Sequence, residues 1–357
     1  MKGLLKHISP LAPDDSGACS VLYELGGIVV ICDAGGCAGN VCGFDEPRWH
    51  EKRSALFSAG LRDMDAILGR DDRLIEKLVK VYEQLPDNYR RFTAIVGTPV
   101  PAVIATDFHA LERMAERKTH VPCLALPTDG TRAYDFGEEM AYFELFKRFT
   151  EDGINFVNAE VVSGRIGIIG ATPLDTGCTR AAQITAGLDR GTSRSSCKEY
   201  VCFGMDSDIE DIRAASSCEN MLVISPAGIK AAEFMKKKFG TPYKVGFPCL
   251  PSETVSAAEG LSGKKVLIIN QQFAANALRE KISNCEADCA TWFMLDKTYA
   301  REGDFRITEE DVLTERIAER GYDVIIADID LKRAVSRFAG EFIDFPHYAV
   351  SARLFER

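Results

Sequence analysis

Asp14-Asp15-Ser16-Gly17-Ala18-Cys19, the apolar run Ile28–Cys32 and the segment Asp33-Ala34-Gly35-Gly36-Cys37-Ala38-Gly39-Asn40-Val41-Cys42-Gly43 decide how this chain is read. The run Ile28–Cys32 is apolar throughout, as expected of a strand buried on both faces of a parallel sheet. Ligands of open parallel sheets sit beyond the carboxyl ends of strands. Cys37 falls in such a loop. The glycines around it let backbone approach a ligand closely, and their N–H groups can face a negative centre. Thiolate-bound iron–sulfur clusters use such donors, because N–H···S bonds and burial set their potential. On the residues alone, the loop suits either a cluster site or a tight turn around a buried free thiol.

Outward from this stretch, short apolar strands alternate with amphipathic helices, the pattern of parallel α/β sheets. The expected fold is α/β: three Rossmann-like domains with parallel sheets flanked by helices, over residues 1–158, 159–256 and 257–357. In the first, strands are expected at Ile28–Cys32, Phe92–Gly97 and Val121–Leu126, and helices at Arg73–Leu85, Thr106–Arg117 and Gly137–Phe149. In the second, strands Arg165–Gly170, Tyr200–Gly204 and Met221–Ser225 alternate with helices starting near Cys178, after Ser207 and at Ile229. Ser207 and Glu210 have capping-box spacing. In the third, strands are expected at Lys265–Asn270, Thr291–Leu295 and Asp323–Ala327, with helices at Phe273–Ile282 and after a Thr308/Asp311 cap. Leu250–Gly263 reads as a linker or boundary helix.

Composition excludes several functions. The net charge of -10, with no basic tract, argues against nucleic-acid binding. No stretch approaches the ~20 apolar residues of a membrane span, and the first residues lack a signal-peptide core, so a cytoplasmic location is expected. No phosphate loop of the G-x-x-x-x-G-K-[ST] type occurs, so the chain should not hydrolyse ATP alone. Gly164, Gly167 and Gly170 lie within a strand and lack dinucleotide spacing. The five histidines form no H-E-x-x-H motif, which argues against a zinc hydrolase.

Twelve cysteines are many for a cytoplasmic protein but too few for a disulfide scaffold. Cys32, Cys123 and Cys202 fall in or near strands and read as core. Cys178, at a helix start, is a candidate for the substrate or a second cluster. Cys197, Cys218 and Cys249 read as structural, and Cys285 and Cys289 lack two further ligands.

The order Gly-Ala-Cys, strand, Gly-Gly-Cys resembles the nitrogenase component 1 superfamily. That group includes nitrogenase subunits, dark-operative protochlorophyllide reductase, the nickel-tetrapyrrole reductive cyclase and cofactor-assembly scaffolds. Further similarity lies at Ser58 to Gly69, Ile95-Val96-Gly97-Thr98-Pro99, Val103 to Asp107, Val121-Pro122, Thr128-Asp129-Gly130, Asn220 to Val223, Phe239 to Pro242 and Gly263 to Val266. Pro99 stands where the family's third cluster cysteine would fall, and proline offers no ligand. The chain is also shorter than typical nitrogenase subunits.

The resemblance implies an oxidoreductase subunit binding an iron–sulfur cluster, [4Fe-4S] in type, through Cys19 and Cys37, with Gly35 and Gly36 beside it. Cys42 matches the pattern less well than Cys37. The implied partners are a nitrogenase reductase-like P-loop ATPase, an identical or paralogous subunit, and a small-molecule or tetrapyrrole substrate in the cleft between domains. A four-iron cluster usually takes four thiolates, so two chains giving two cysteines each would complete it. An alternative is a scaffold for metallocluster assembly. A periplasmic-type chelate binder fits less well.

Overall fold

The computed structural model describes residues 5–151, 160–189 and 198–354. Its strands form three separate parallel sheets. The first contains β1 (Ile28–Ile31), β2 (Ala55–Ser58), β3 (Thr93–Val96) and β4 (Cys123–Leu126), in the order β2-β1-β3-β4. The second contains β5 (Val162–Ile169), β6 (Glu199–Cys202), β7 (Cys218–Val223) and β8 (Tyr243–Val245), in the order β6-β5-β7-β8. The third contains β9 (Lys265–Ile269), β10 (Glu286–Thr291), β11 (Phe305–Arg306), β12 (Val324–Ala327) and β13 (Glu341–Asp344), in the order β11-β10-β9-β12-β13.

The central strands are buried along their length, as in the IVVI of β1 and the VIIA of β12. Helices cover both faces with apolar stripes such as Leu74, Ile75 and Leu78 of Asp71–Gln84. In every sheet the strand order reverses beside its first strand. This creates switch points between β1 and β3, β5 and β7, and β9 and β12, where loops diverge and ligands find room.

The α/β expectation holds. Several local expectations do not. Asp14–Leu22, where no helix was expected, is one, and it holds Cys19 in its interior, unlike the loop that carries Cys37. The strand expected at Thr291–Leu295 lies earlier, at Glu286–Thr291. The expected Ser207/Glu210 box is formed instead by Asp208 and Asp211, while Ser207 Oγ accepts from Gly204 N–H. The later helix begins at Glu310 after Glu309, with no side-chain cap. The boundary-helix reading of Leu250–Gly263 does hold: the segment contains the helix Ser252–Glu259.

The helix Asp14–Leu22 packs on the long helix Tyr134–Glu151 with backbone nearly touching. A Cβ on Gly17 would lie 1.9 Å from Tyr134 O, and one on Gly137 would lie 1.7 Å from Asp14 O. Only hydrogen fits at either position. This contact sets the depth of Cys19 beneath the first sheet's carboxyl edge.

Candidate functional site

The loops leaving β1 and β3, at the first switch point, carry the cysteine site. Asp33 shapes the first loop: Oδ2 accepts from Ala38 N–H at 2.9 Å, and Oδ1 from the Ser58 hydroxyl at 2.5 Å. Gly35 has φ +117°, a conformation that strains any other residue. The chain then turns through Gly36–Asn40, which carries Cys37, and a wider turn, Val41–Asp45, which carries Cys42. A Cβ on Gly35, Gly36, Gly39 or Gly43 would meet nothing within 4 Å, so this loop has an open face.

From β3, the Thr98 hydroxyl donates to Cys32 O at 2.8 Å and also reaches the Cys37 thiol. Pro99 begins the next helical turn and packs over Gly130, whose Cβ would lie 2.7 Å from its Cγ. The Asp14 carboxylate accepts from Gly130 N–H at 2.7 Å and Asp129 N–H at 3.2 Å. Loops after β1, β3 and β4 thus close on the start of the Cys19 helix.

Cys19 is fully buried. Burial raises its pKa well above the ordinary thiol value, and Asp15, Cys42, Glu46 and Asp33 add to this. Cys37 and Cys42 are half-buried and are also raised, first by burial. Asp15, one helical turn before Cys19, is raised to about 7 by burial and by Asp14. Its Oδ1 is buried without a hydrogen-bond partner. Metal ligation requires thiolates. This acidic, buried setting favours thiols instead, and a bound cation would reverse that preference.

Among the described residues, no three His, Cys, Asp or Glu side chains are grouped to hold a metal ion. Buried Cys19, half-buried Cys37, the orphaned Asp15 oxygen and the open glycine face have the chemistry to hold part of an iron–sulfur centre, but two thiols fall short of the four that a four-iron cluster usually takes. They do not make a closed site alone.

Beneath the site lies a buried ion pair that the sequence did not reveal. Arg48 is fully enclosed, with Glu46 at 2.6 Å, Glu24 at 2.9 Å, Ser20 O at 2.6 Å and Gly204 O at 2.7 Å. Its guanidinium also sits 4.8 Å from the Tyr23 ring centroid. Asp15 had a usable signal: with Asp14–Leu22 taken as a helix, the i,i+4 spacing puts it on the face of Cys19.

The remaining cysteines lie elsewhere. Cys178 is buried after the short helix Pro173–Thr176, its thiol 3.4 Å from Thr176 O, and not at a helix start. Cys32, Cys123, Cys202, Cys218, Cys249 and Cys289 are buried, and Cys285 is half-buried. Cys197 lies outside the described residues.

The other two switch points face one another. Gln271, after β9, donates through Nε2 to Ile224 O, after β7, at 2.9 Å. Between them the rings of Tyr134, Phe293 and His347 pack edge to face, with centroids 4.8–5.9 Å apart. Beside this packed junction opens a cleft of about 450 Å³, lined by Phe136, Glu139, Lys230, Glu233, Met294 and Arg306, among others.

A family profile described as Nitrogenase component 1 type Oxidoreductase matches residues 16–289. The chain belongs to this family. The match spans Cys19, Cys37 and Pro99 and ends within β10. Family members bind metal–sulfur clusters, work with a reductase component and form oligomers. A solved structure titled "Nitrogenase Cp1 at pH 6.5" is 13% identical, with TM-score 0.66, over 97% of this chain and 87% of that one. Its counterpart at pH 5 is 14% identical, with TM-score 0.67, over 99% and 86%. At such identities the likeness establishes the component 1 fold. No curated protein sequence matches the chain. No helix among the described residues is long and apolar enough to cross a membrane.

Proposed function

We propose that this component 1 family member is a cytoplasmic, nitrogenase-like oxidoreductase subunit. It takes electrons from a separate P-loop ATPase reductase and reduces a small-molecule or tetrapyrrole substrate at the cleft between sheet units. The observation that carries this reading is the convergence of the Cys19 helix and the Cys37 loop at the first switch point, beneath an open glycine face.

Cys19 and Cys37 would supply thiolates from each chain. A second copy or a paralogue would supply the rest, because Pro99 supplies none. A [4Fe-4S] cluster held there supplies low-potential one-electron transfer. The protein's own part is to bind and shield. Cys19 is closed off from water, Thr98 steadies the Cys37 sulfur, and Gly35 and Gly36 leave open space where a side chain would stand. The two domains flanking each cleft and their boundaries near residues 158 and 256 belong to the same proposal.

Anaerobically purified protein should be brown and contain iron and sulfide, and Cys37→Ala should lose both. Iron-free protein after anaerobic reconstitution would end this reading. The isolated chain should show no ATP hydrolysis, with ATP-dependent reduction arising only when a P-loop reductase is added.

The tight packing of Tyr134, Phe293 and His347 at the junction favours a second reading, a scaffold on which a cluster is built and released. Transfer of iron and sulfide to an apo-acceptor, without substrate turnover, would select it.

A further inference from the structure

Where the second and third switch points meet, the chain buries more acid than its donors can satisfy. Tyr134, Asp135 and Glu138 enter from the helix Tyr134–Glu151, Asp175 from the short helix after β5, and His347 from the loop after β13. All five are at most 2% exposed. Glu138 Oε1 accepts from the Thr172 hydroxyl at 2.5 Å, and Asp175 Oδ1 accepts from the Tyr134 hydroxyl at 2.8 Å. The outer oxygens, Glu138 Oε2 and Asp175 Oδ2, have no partner at hydrogen-bond distance, although the Ser225 hydroxyl lies near enough to Asp175 to act on it. Yet the two residues meet at Thr172, whose hydroxyl donates to Glu138 Oε1 and accepts from Asp175 N–H at 3.4 Å, and each carboxyl acts on the other.

Ionised carboxylates only accept hydrogen bonds. Two of them acting on each other, away from water, require a proton between them. Tyr134 spends its one hydrogen on Asp175. Its oxygen, 3.1 Å from His347 Nε2, can therefore only accept from that nitrogen. That bond requires the Nε2–H tautomer of His347, while the Leu174 carbonyl also draws a ring proton. The bonds run unbroken from His347 to Tyr134 to Asp175, and from Thr172 to Glu138, with one gap that a single proton closes.

We propose that Glu138 and Asp175 form a buried proton-binding site, in which one proton shared between Glu138 Oε2 and Asp175 Oδ2 joins all three sheet units through Tyr134 and His347. This site stands apart from the cysteines and does not depend on the cluster reading.

The surroundings agree. Burial and Asp175 raise Glu138 well above the usual carboxyl range, while Asp175 is raised only to about 6, held down by Glu138, Tyr134 and Ser225. One proton therefore stays at neutral pH. Tyr142, on the next turn of the helix, is raised in its turn by burial and by Glu138. Asp135 Oδ2 accepts from Met294 N–H, Asp135 is raised to about 7 by burial, and Arg306 acts on it in the opposite sense. Burial holds His347 down at about 4 despite nearby Asp328, which Arg353 pairs at 3.1 Å. No cation neutralises Glu138 or Asp175 among the partners they have in the described residues.

Infrared difference spectroscopy of the full chain at about pH 9 tests this, because Asp135, Asp15 and exposed carboxyls are then ionised. The expected result is a carboxylic acid C=O band that shifts in D₂O and is lost in Glu138→Gln. The glutamine preserves the packing: its carbonyl accepts from Thr172 and its amide donates to Asp175. Tyr134→Phe removes a donor to Asp175 but leaves the proton, so it should keep the band at a shifted frequency. Absence of the band in the unmodified chain, or a band unchanged in both variants, overturns the proposal.

Discussion

Single residues at this junction and beneath the cysteines fix how the molecule responds to charge. Asp135 at about 7 and Asp175 at about 6 bind protons more tightly folded than unfolded, where their value is 3.8. Their contribution to stability is complete below about pH 4 and is lost as pH rises through 6 to 7. Glu138 extends that loss upward. His347, lowered from 6.5 to about 4, works in the opposite sense: its contribution is present above 6.5 and lost as pH falls towards 4. Each group titrating between its two values adds a slope of about 1.4 kcal/mol per pH unit. Urea unfolding should therefore show stability falling between about pH 4 and 7, with His347 offsetting one group's share of the slope up to 6.5, and Glu138→Gln should flatten any further fall above pH 7. Arg48 raises a different question. Removing it leaves Glu46 buried without a counter-charge, which typically costs about 3–5 kcal/mol. Arg48→Ala should show that loss in urea midpoint, and Arg48→Lys should recover only part, because one ammonium cannot meet Glu46, Glu24, Ser20 O and Gly204 O together.

At the scale of elements, what the sequence disclosed depended on whether burial was written into a strand's composition. The central strands β1, β3, β9 and β12 were legible because nearly all their residues are apolar and buried, and β5 only through its buried end, Gly167–Ile169. Strands β2, β8, β11 and β13 were missed. All four are sheet edges, short, and several carry charge, as in the YKV of β8 and the EFID of β13. β10 misled for a related reason. Its Glu286 and Asp288 hide the strand, and Asp288 is satisfied by Tyr322 and Arg320, contacts far away in sequence. The apolar Trp292-Phe293-Met294 that follows looks like the strand but packs into the junction. The Cys37 loop was readable from its glycines. The position of Cys19 in a helix was not, because Asp14–Leu22 has polar residues buried along with the apolar ones. That helix is seated by glycine, which gives a test. Gly137→Ala must push the two helices apart against backbone atoms, an overpacking cost of typically about 1–3 kcal/mol or more. The melting temperature should fall, and iron content should fall with it in anaerobic preparations, because Cys19 moves. If iron content is unchanged while stability drops, the helix does not position a ligand.

Across the whole molecule, half of the large exposed apolar side chains among the described residues gather at the edge that carries the candidate cysteine site. Phe44, Ile67 and Val103 are 68%, 74% and 85% exposed, and Met64, Leu68, Val100 and Ile104 are exposed as well. Phe44 follows the Cys37 turn after β1. Met64, Ile67 and Leu68 lie on Asp63–Leu68, after β2, and Val100, Val103 and Ile104 follow β3. Each group therefore hangs from the carboxyl edge of the first sheet, around the open glycine face. Scattered apolar residues on a surface need no explanation, but several gathered around one site mark a contact. A second copy is the simplest occupant: two-fold pairing is the commonest oligomeric state, and it would bring Cys19 and Cys37 together twice. Replacing Ile67 and Val103 together by glutamate should leave each chain folded, since both side chains point into solvent, and the melting temperature should change little. Sedimentation should then show a monomer where the unmodified protein is expected to sediment as a dimer. Iron content per chain should fall in parallel, although neither residue is a ligand. A monomeric double variant that keeps its full iron would separate the surface from the site and leave the cluster to a single chain. A dimer unaffected by both charges would place the contact on another edge.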